Sequence, residues 1–303
     1  MPLVVPFPPV PPTVFDTGSM PVLTLQRDAV VLPLTLPNGW VVLPGVQGLD
    51  DPPRSLVEVT PAVGDGTLVL DARYAARDVF LPLNYKASST AGLRSTIRGL
   101  ASLCDVKAGD VTLEVAHLDG TRRYIDGRVS QPYAQAMTSG EGALWRTIGL
   151  TIHCPDPFFY TEERTATWTL GGGPVEFLGD EFLPVGLDNS QVLGEEPINN
   201  DGDAHAYPVW TVTGPCDALT VAAGETVWSV PDGLTDEETL VIDARRGVKT
   251  CTVNGVSSWG RLAPGSVVST LAPGPNLLDV EAIGATAQTA ITVDWAERWL
   301  TAW

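Results

Sequence analysis

The sequence predicts a mainly β protein made of two tandem β-sandwiches, and three observations carry that expectation. Thirty Gly and 26 Pro are spread along 303 residues, which cuts the chain into short segments and leaves little room for helix. Short runs rich in Val, Leu, Ile and Thr alternate with a period of two, as strands with one buried face do. The charge is also divided unevenly: residues 1–150 carry 12 Lys/Arg against 14 Asp/Glu, whereas residues 151–303 carry 6 against 22. A boundary near 150–160 follows from that asymmetry.

The boundary stretch itself reads as a strand that is stopped. Leu144, Ile148, Leu150, Ile152 and Cys154 alternate with Trp145, Thr147, Gly149, Thr151 and His153, with Arg146 interrupting the apolar series. Pro155 and Pro157 then remove backbone donors and hold the chain extended. Phe158, Phe159 and Tyr160 follow and need a surface to pack on. Pro155, Asp156, Pro157, Phe158, Phe159 and Tyr160 are therefore the expected domain hinge, with domains at 1–158 and 159–303.

Before that boundary, the first 20 residues read as a proline-rich arm, with six prolines in the first twelve positions. Such an arm is either a loose tail or a strap laid on a neighbouring subunit. Val22 to Leu36 is strand-rich, and Pro37-Asn38-Gly39 turns the chain into Trp40-Val41-Val42-Leu43. Leu49-Asp50-Asp51-Pro52-Pro53-Arg54 reads as a solvated loop. Short strands are expected over Leu56–Pro61, Gly66–Asp71 and Asp78–Leu83. Leu93, Ile97, Leu100 and Cys104 then recur at helical spacing, and Ser89 or Thr90 can cap the start. Val111–Leu118 and Thr121–Val129 flank Asp119-Gly120, which suits a two-residue type I′ hairpin turn. Arg122, Arg123 and Arg128 on the second arm are expected as a solvated face or as ion pairs.

The second half continues with strands and no helix. Thr165–Leu170, Tyr207–Thr213, Leu240–Asp243, Leu277–Ala282 and Thr289–Trp295 fit the strand pattern, and Asn254-Gly255 is a second hairpin turn. Trp295, Trp299 and Trp303 recur every four residues. They either fill a core or, with Trp259, offer an interface or a sugar-stacking platform.

Catalytic chemistry finds little footing. His117, His153 and His205 are isolated in sequence, and none sits in a metal-binding spacing. Gly171-Gly172-Gly173 is followed by Pro174, so it lacks the Gly-Lys-Ser/Thr of a phosphate loop. Asn199–Asp203 has an outline of a calcium loop, but Trp210 stands where its bidentate Glu is needed. Cys104, Cys154, Cys216 and Cys251 are widely spaced and read as buried thiols, leaving a Cys216–Cys251 disulfide as the lesser alternative. No run approaches the length of a membrane span. No enzyme, cofactor or metal is expected.

Taken together, these motifs resemble the distal tail proteins of long-tailed, siphovirus-type bacteriophages. The resemblance runs through Leu49–Pro53, the Leu93–Cys104 helix, Tyr124-Ile125-Asp126-Gly127-Arg128, and Trp145 through Tyr160. In the second half it runs through Asn200-Asp201-Gly202, Tyr207-Pro208-Val209-Trp210, Ile242-Asp243, Asn254-Gly255 and Leu271 to Asn276. It implies a first domain of tail-tube type with one flanking helix, closing into a hexameric ring. The implied second domain is a galectin-like or carbohydrate-module-like sandwich. The implied role is structural: a ring at the distal end of the tail, assembled in the host cytoplasm, that joins tube to baseplate and lets DNA pass through its lumen without specific binding. Implied partners are further copies of the chain, the major tail tube protein, the tape measure protein and the tail hub. Receptor-binding proteins or a host-surface glycan extend that set, the glycan making the protein an adhesin through its second domain.

Overall fold

The computed structural model describes residues 21–131, 143–169 and 190–303, with only the backbone of 190–196. The proline-rich arm and the triple glycine at 171–173 therefore lie outside the described residues. The fold is mainly β, as expected, and divides into two compact units: Met1–Pro157 with Ala302–Trp303, and Phe158–Thr301.

The first unit contains β1 (Val22–Arg27), β2 (Val30–Pro33), β3 (Trp40–Val42), β4 (Arg54–Val59), β5 (Leu68–Tyr74), β6 (Arg77–Lys86), helix α1 (Thr90–Leu103), β7 (Val111–Ala116), β8 (Arg122–Val129) and β9 (Trp145–Cys154). Its main sheet runs in the order β2-β1-β7-β8-β9-β6-β3. The alternation read in β9 sets the core: Ile148, Leu150 and Ile152 face Leu83, Leu81 and Val79 of β6 directly across the ladder, and all six are buried. Between them Gly149 sits where a Cβ would come within 2.9 Å of the Phe80 ring, so a side chain there has to displace an aromatic.

Helix α1 starts where Ser89 Oγ accepts a hydrogen bond from the Gly92 amide at 3.0 Å. Leu100 and Leu103 are its buried residues, and Leu93 and Ile97 are half-buried. The hairpin between β7 and β8 departs from the expected type I′ turn. The Gly120 amide bonds to His117 O and the His117 amide to Thr121 O, so three residues form the loop. Only Gly120 has positive φ, at 90°. That is a type I turn closed by a glycine bulge, in which Asp119 keeps a right-handed conformation. Asn254 and Gly255 do both take positive φ, 48° and 79°, as a type I′ turn requires.

The second unit contains β10 (Phe159–Tyr160), β11 (Arg164–Thr169), β12 (Ser190–Asn200), β13 (Val209–Thr213), β14 (Ala218–Ala223), β15 (Thr226–Val230), β16 (Thr239–Asp243), β17 (Thr250–Val253), β18 (Val256–Ser257), β19 (Gly274–Ile283), β20 (Ala290–Trp295) and β21 (Arg298–Trp299). One sheet runs β11-β20-β13-β16-β17-β18 and the other β12-β19-β14-β15. Inward residues of both sheets share one core, built on Trp168 stacked on Trp210 at 6.2 Å and Trp228 edge-on to Trp210 at 5.5 Å. This is a β-sandwich. Of the aromatics after Pro157, Phe159 and Tyr160 form β10, which pairs with β21; Phe159 is fully buried, and the Arg298 guanidinium lies 4.3 Å from the Phe158 ring centroid.

Candidate interaction surfaces

The three histidines sit apart, each on its own partner. His117 Nε2 meets Ala302 O at 2.6 Å, His153 Nδ1 meets Asp78 Oδ1 at 2.7 Å, and His205 Nδ1 meets Thr270 Oγ1 at 2.9 Å. Among the described residues no group of His, Cys, Asp and Glu could hold a metal ion. The Asn199–Asp203 stretch is stitched into the unit instead. The Asn200 amide donates to Ala204 O and Leu271 O, Asp201 pairs with Arg164, and Asp203 accepts from the Leu300 amide. Burial pushes up the carboxyl of Glu297 next to this loop, against the opposing pull of Arg164 at 2.9 Å. The four cysteines are buried thiols outside any disulfide, and burial pushes the Cys154 thiol up to about 12, which makes it inert near neutral pH.

The tryptophans of the series sit in different settings. Trp295 is a core residue of the second unit and Trp299 lies in β21 opposite Phe159. Trp303 belongs to the first unit, where its indole N–H donates to Asp50 Oδ1 at 2.8 Å and its ring meets His117 edge-on. A spacing of four is ambiguous between helix and strand, and here it spans a strand, a short strand and a chain end. Trp259 alone among the four stays half exposed without a packing partner of this kind.

Two features escaped the sequence reading. Leu49–Arg54 is no mere solvated loop: Leu49 is buried, and the fully buried Arg77 donates to Gly48 O and Asp50 O, both at 2.9 Å. Burial lowers the Arg77 pKa, although nearby acids including Asp51 and Asp50 oppose it. The second feature is the β4–β5 hairpin, which among the described residues forms a two-stranded sheet of its own. Every residue of β4 is exposed, as are Leu68, Val69, Leu70 and Tyr74 of β5. Apolar side chains thus face water on both sides of one ribbon. The arginines of β8, by contrast, are engaged: Arg122 pairs with Glu114, Arg128 with Asp110, and Arg123 is buried.

Comparison with known proteins shows what the chain is similar to. Residues 201–299 match the family described as siphovirus-type tail component, C-terminal domain. The particular likeness is to the Dit protein (gp 19.1) of phage SPP1, described as a paradigm of the hub adsorption apparatus in phages infecting Gram-positive bacteria. That match has 18% identity, covers 91% of this chain and 99% of the other, and has a TM-score of 0.64. A chain of the phage P2 baseplate in its activated, Ca-containing conformation also matches, at 9% identity, 90% and 97% coverage and a TM-score of 0.53. No curated protein matches the chain. The resemblance read from the sequence is borne out to this extent: the chain has the fold of the SPP1 Dit protein, and residues 201–299 match the C-terminal-domain model of siphovirus-type tail components.

Proposed function

We propose that this chain is a structural, non-catalytic component of a siphovirus-type phage tail, and that copies of it close into a ring of six between tail tube and baseplate hub. The β4–β5 hairpin carries this reading. A two-stranded ribbon is marginal in water, and one with Leu56, Val57 and Leu70 all exposed needs a covering surface. β2 pairs with β1 on one side and ends the sheet on the other among the described residues, with Val30 and Val31 open to solvent, so the same unit presents a second edge. A closed ring of identical subunits covers such edges without leaving any at its ends. The first half, near neutral in charge, packs against its own copies with little repulsion. The strongly acidic second half is best placed outward or against a basic partner.

In this reading the tube protein, the tape measure protein and the hub meet opposite faces of the ring, and DNA passes through a lumen that is not strongly basic. The family match over 201–299 supports a tail component; the sixfold symmetry and the lumen are the finer parts of the proposal. Electron microscopy of the purified protein tests it. Sixfold rings with an open centre are the expected result, and a uniformly monomeric population contradicts it.

A further inference from the structure

The second unit carries a cleft of about 520 Å³ that the ring reading leaves unused. It is lined by Tyr207, by Ile242 and Asp243 at the end of β16, by Lys249, by Trp259, and by the loop from Leu262 to Val268. A cleft of this size fits a short stretch of peptide or a similarly small ligand.

Three features select the chemistry of its occupant. The lining is mostly apolar, with Ile242, Leu262, Val267 and Val268 beside the aromatics Tyr207 and Trp259. The single carboxylate is already taken: Arg245 Nε lies 3.0 Å from both oxygens of Asp243, its terminal nitrogen is 2.6 Å from Oδ2, and its amide donates to Oδ1 at 2.9 Å. Among the other polar groups, Tyr207, Ser266 and Thr270 carry hydroxyls, which both donate and accept. The Trp259 indole N–H has no acceptor among the described residues, and Lys249 is exposed.

Aromatic faces with free N–H donors suit a ligand that has carbonyl acceptors, no amide hydrogens and stiff apolar rings. Extended proline-rich segments have these properties, because proline lacks an N–H and the polyproline helix leaves its carbonyls unbonded. The sequence contains such a segment. Pro2, Pro6, Pro8, Pro9, Pro11 and Pro12 fall in the first twelve residues, and no charged side chain occurs before Asp16. A neutral ligand also avoids repulsion by the acidic second half.

We propose that this cleft binds the proline-rich N-terminal segment of a second copy of the chain. Its placement on a neighbouring copy rests on the ring reading; the binding chemistry does not.

The test uses a fluorescent peptide of residues 2–13 and the full chain lacking those residues, followed by fluorescence anisotropy. Saturable binding is expected. Trp259→Ala should weaken it at least about tenfold, as loss of a binding hot spot does, and replacing the prolines of the peptide with alanine should do the same. Trp259 lies outside the core, so circular dichroism and the melting temperature of the variant should match those of the parent. Absence of saturable binding overturns the proposal, as does equal binding by a folded Trp259→Ala chain. Binding of a cell-wall oligosaccharide in place of the peptide also overturns it and makes the cleft a sugar site. Rings without peptide binding refute the cleft alone. Peptide binding by a chain that stays monomeric refutes the ring alone.

Discussion

Two antiparallel strand pairs of the first unit, β6–β9 and β4–β5, differ in what their apolar residues touch. In β6–β9, Val79, Leu81 and Leu83 face Ile152, Leu150 and Ile148 and are shielded completely or almost so. In β4–β5, the register places Leu56 opposite Ala72 and Val59 opposite Leu68, yet Leu56 and Leu68 remain 54% and 60% exposed. Hydrogen-bonded pairing is common to both, so pairing does not explain burial. The first pair is stabilised by the core of its own unit. The second presents the same kind of side chain to solvent, which costs the lone subunit and becomes favourable only when another surface covers it.

Substitutions on the two pairs sharpen that contrast. Leu81→Ala, at a fully buried position, should lower unfolding free energy by about 2–5 kcal/mol in urea denaturation. Ser89→Ala removes the cap of α1 and should cost about 1 kcal/mol by the same measurement. In the second unit, burial pushes the Asp243 carboxyl up, but the side-chain and backbone hydrogen bonds of Arg245 outweigh it and hold the pKa below the ordinary carboxylate range. A lowered folded pKa contributes stability at higher pH that is lost as pH falls through the unfolded value, about 3.9, toward the folded one. Asp243→Asn should therefore cost about 1 kcal/mol at neutral pH, Arg245 being half exposed, and flatten the melting temperature's fall with acid. Leu70→Ser on the hairpin should change the stability of the separated subunit by no more than about 0.5 kcal/mol.

How much of this was legible beforehand depends on range. Local patterns were readable: the alternation of Ile148, Leu150 and Ile152 marks one buried face, and Ser89 ahead of Leu93 and Ile97 marks a helix start. Turn type was readable at Asn254-Gly255 but not at Asp119-Gly120, because one more loop residue, Leu118, relieves Asp119 of positive φ. The burial of Arg77 was not legible, since nothing nearby in sequence announces the carbonyls of Gly48 and Asp50 that receive it. The cleft was invisible for the same reason. Tyr207, Lys249, Trp259 and Val268 come together only through the strand order β13-β16-β17-β18 and the loop that follows. The hairpin strands were partly foreseen, but their exposure on both faces was not, because a run of Val and Leu reads the same whether it lines a core or awaits a neighbour.

The most direct measurement compares the oligomeric state of the parent chain with that of a Leu56→Asp, Leu70→Asp double variant by mass photometry. The parent is expected as a ring of about six copies and the variant as a folded monomer, since carboxylates on the ribbon tolerate water but not a covering apolar surface. A monomeric parent, or a variant that assembles as the parent does, would contradict the account.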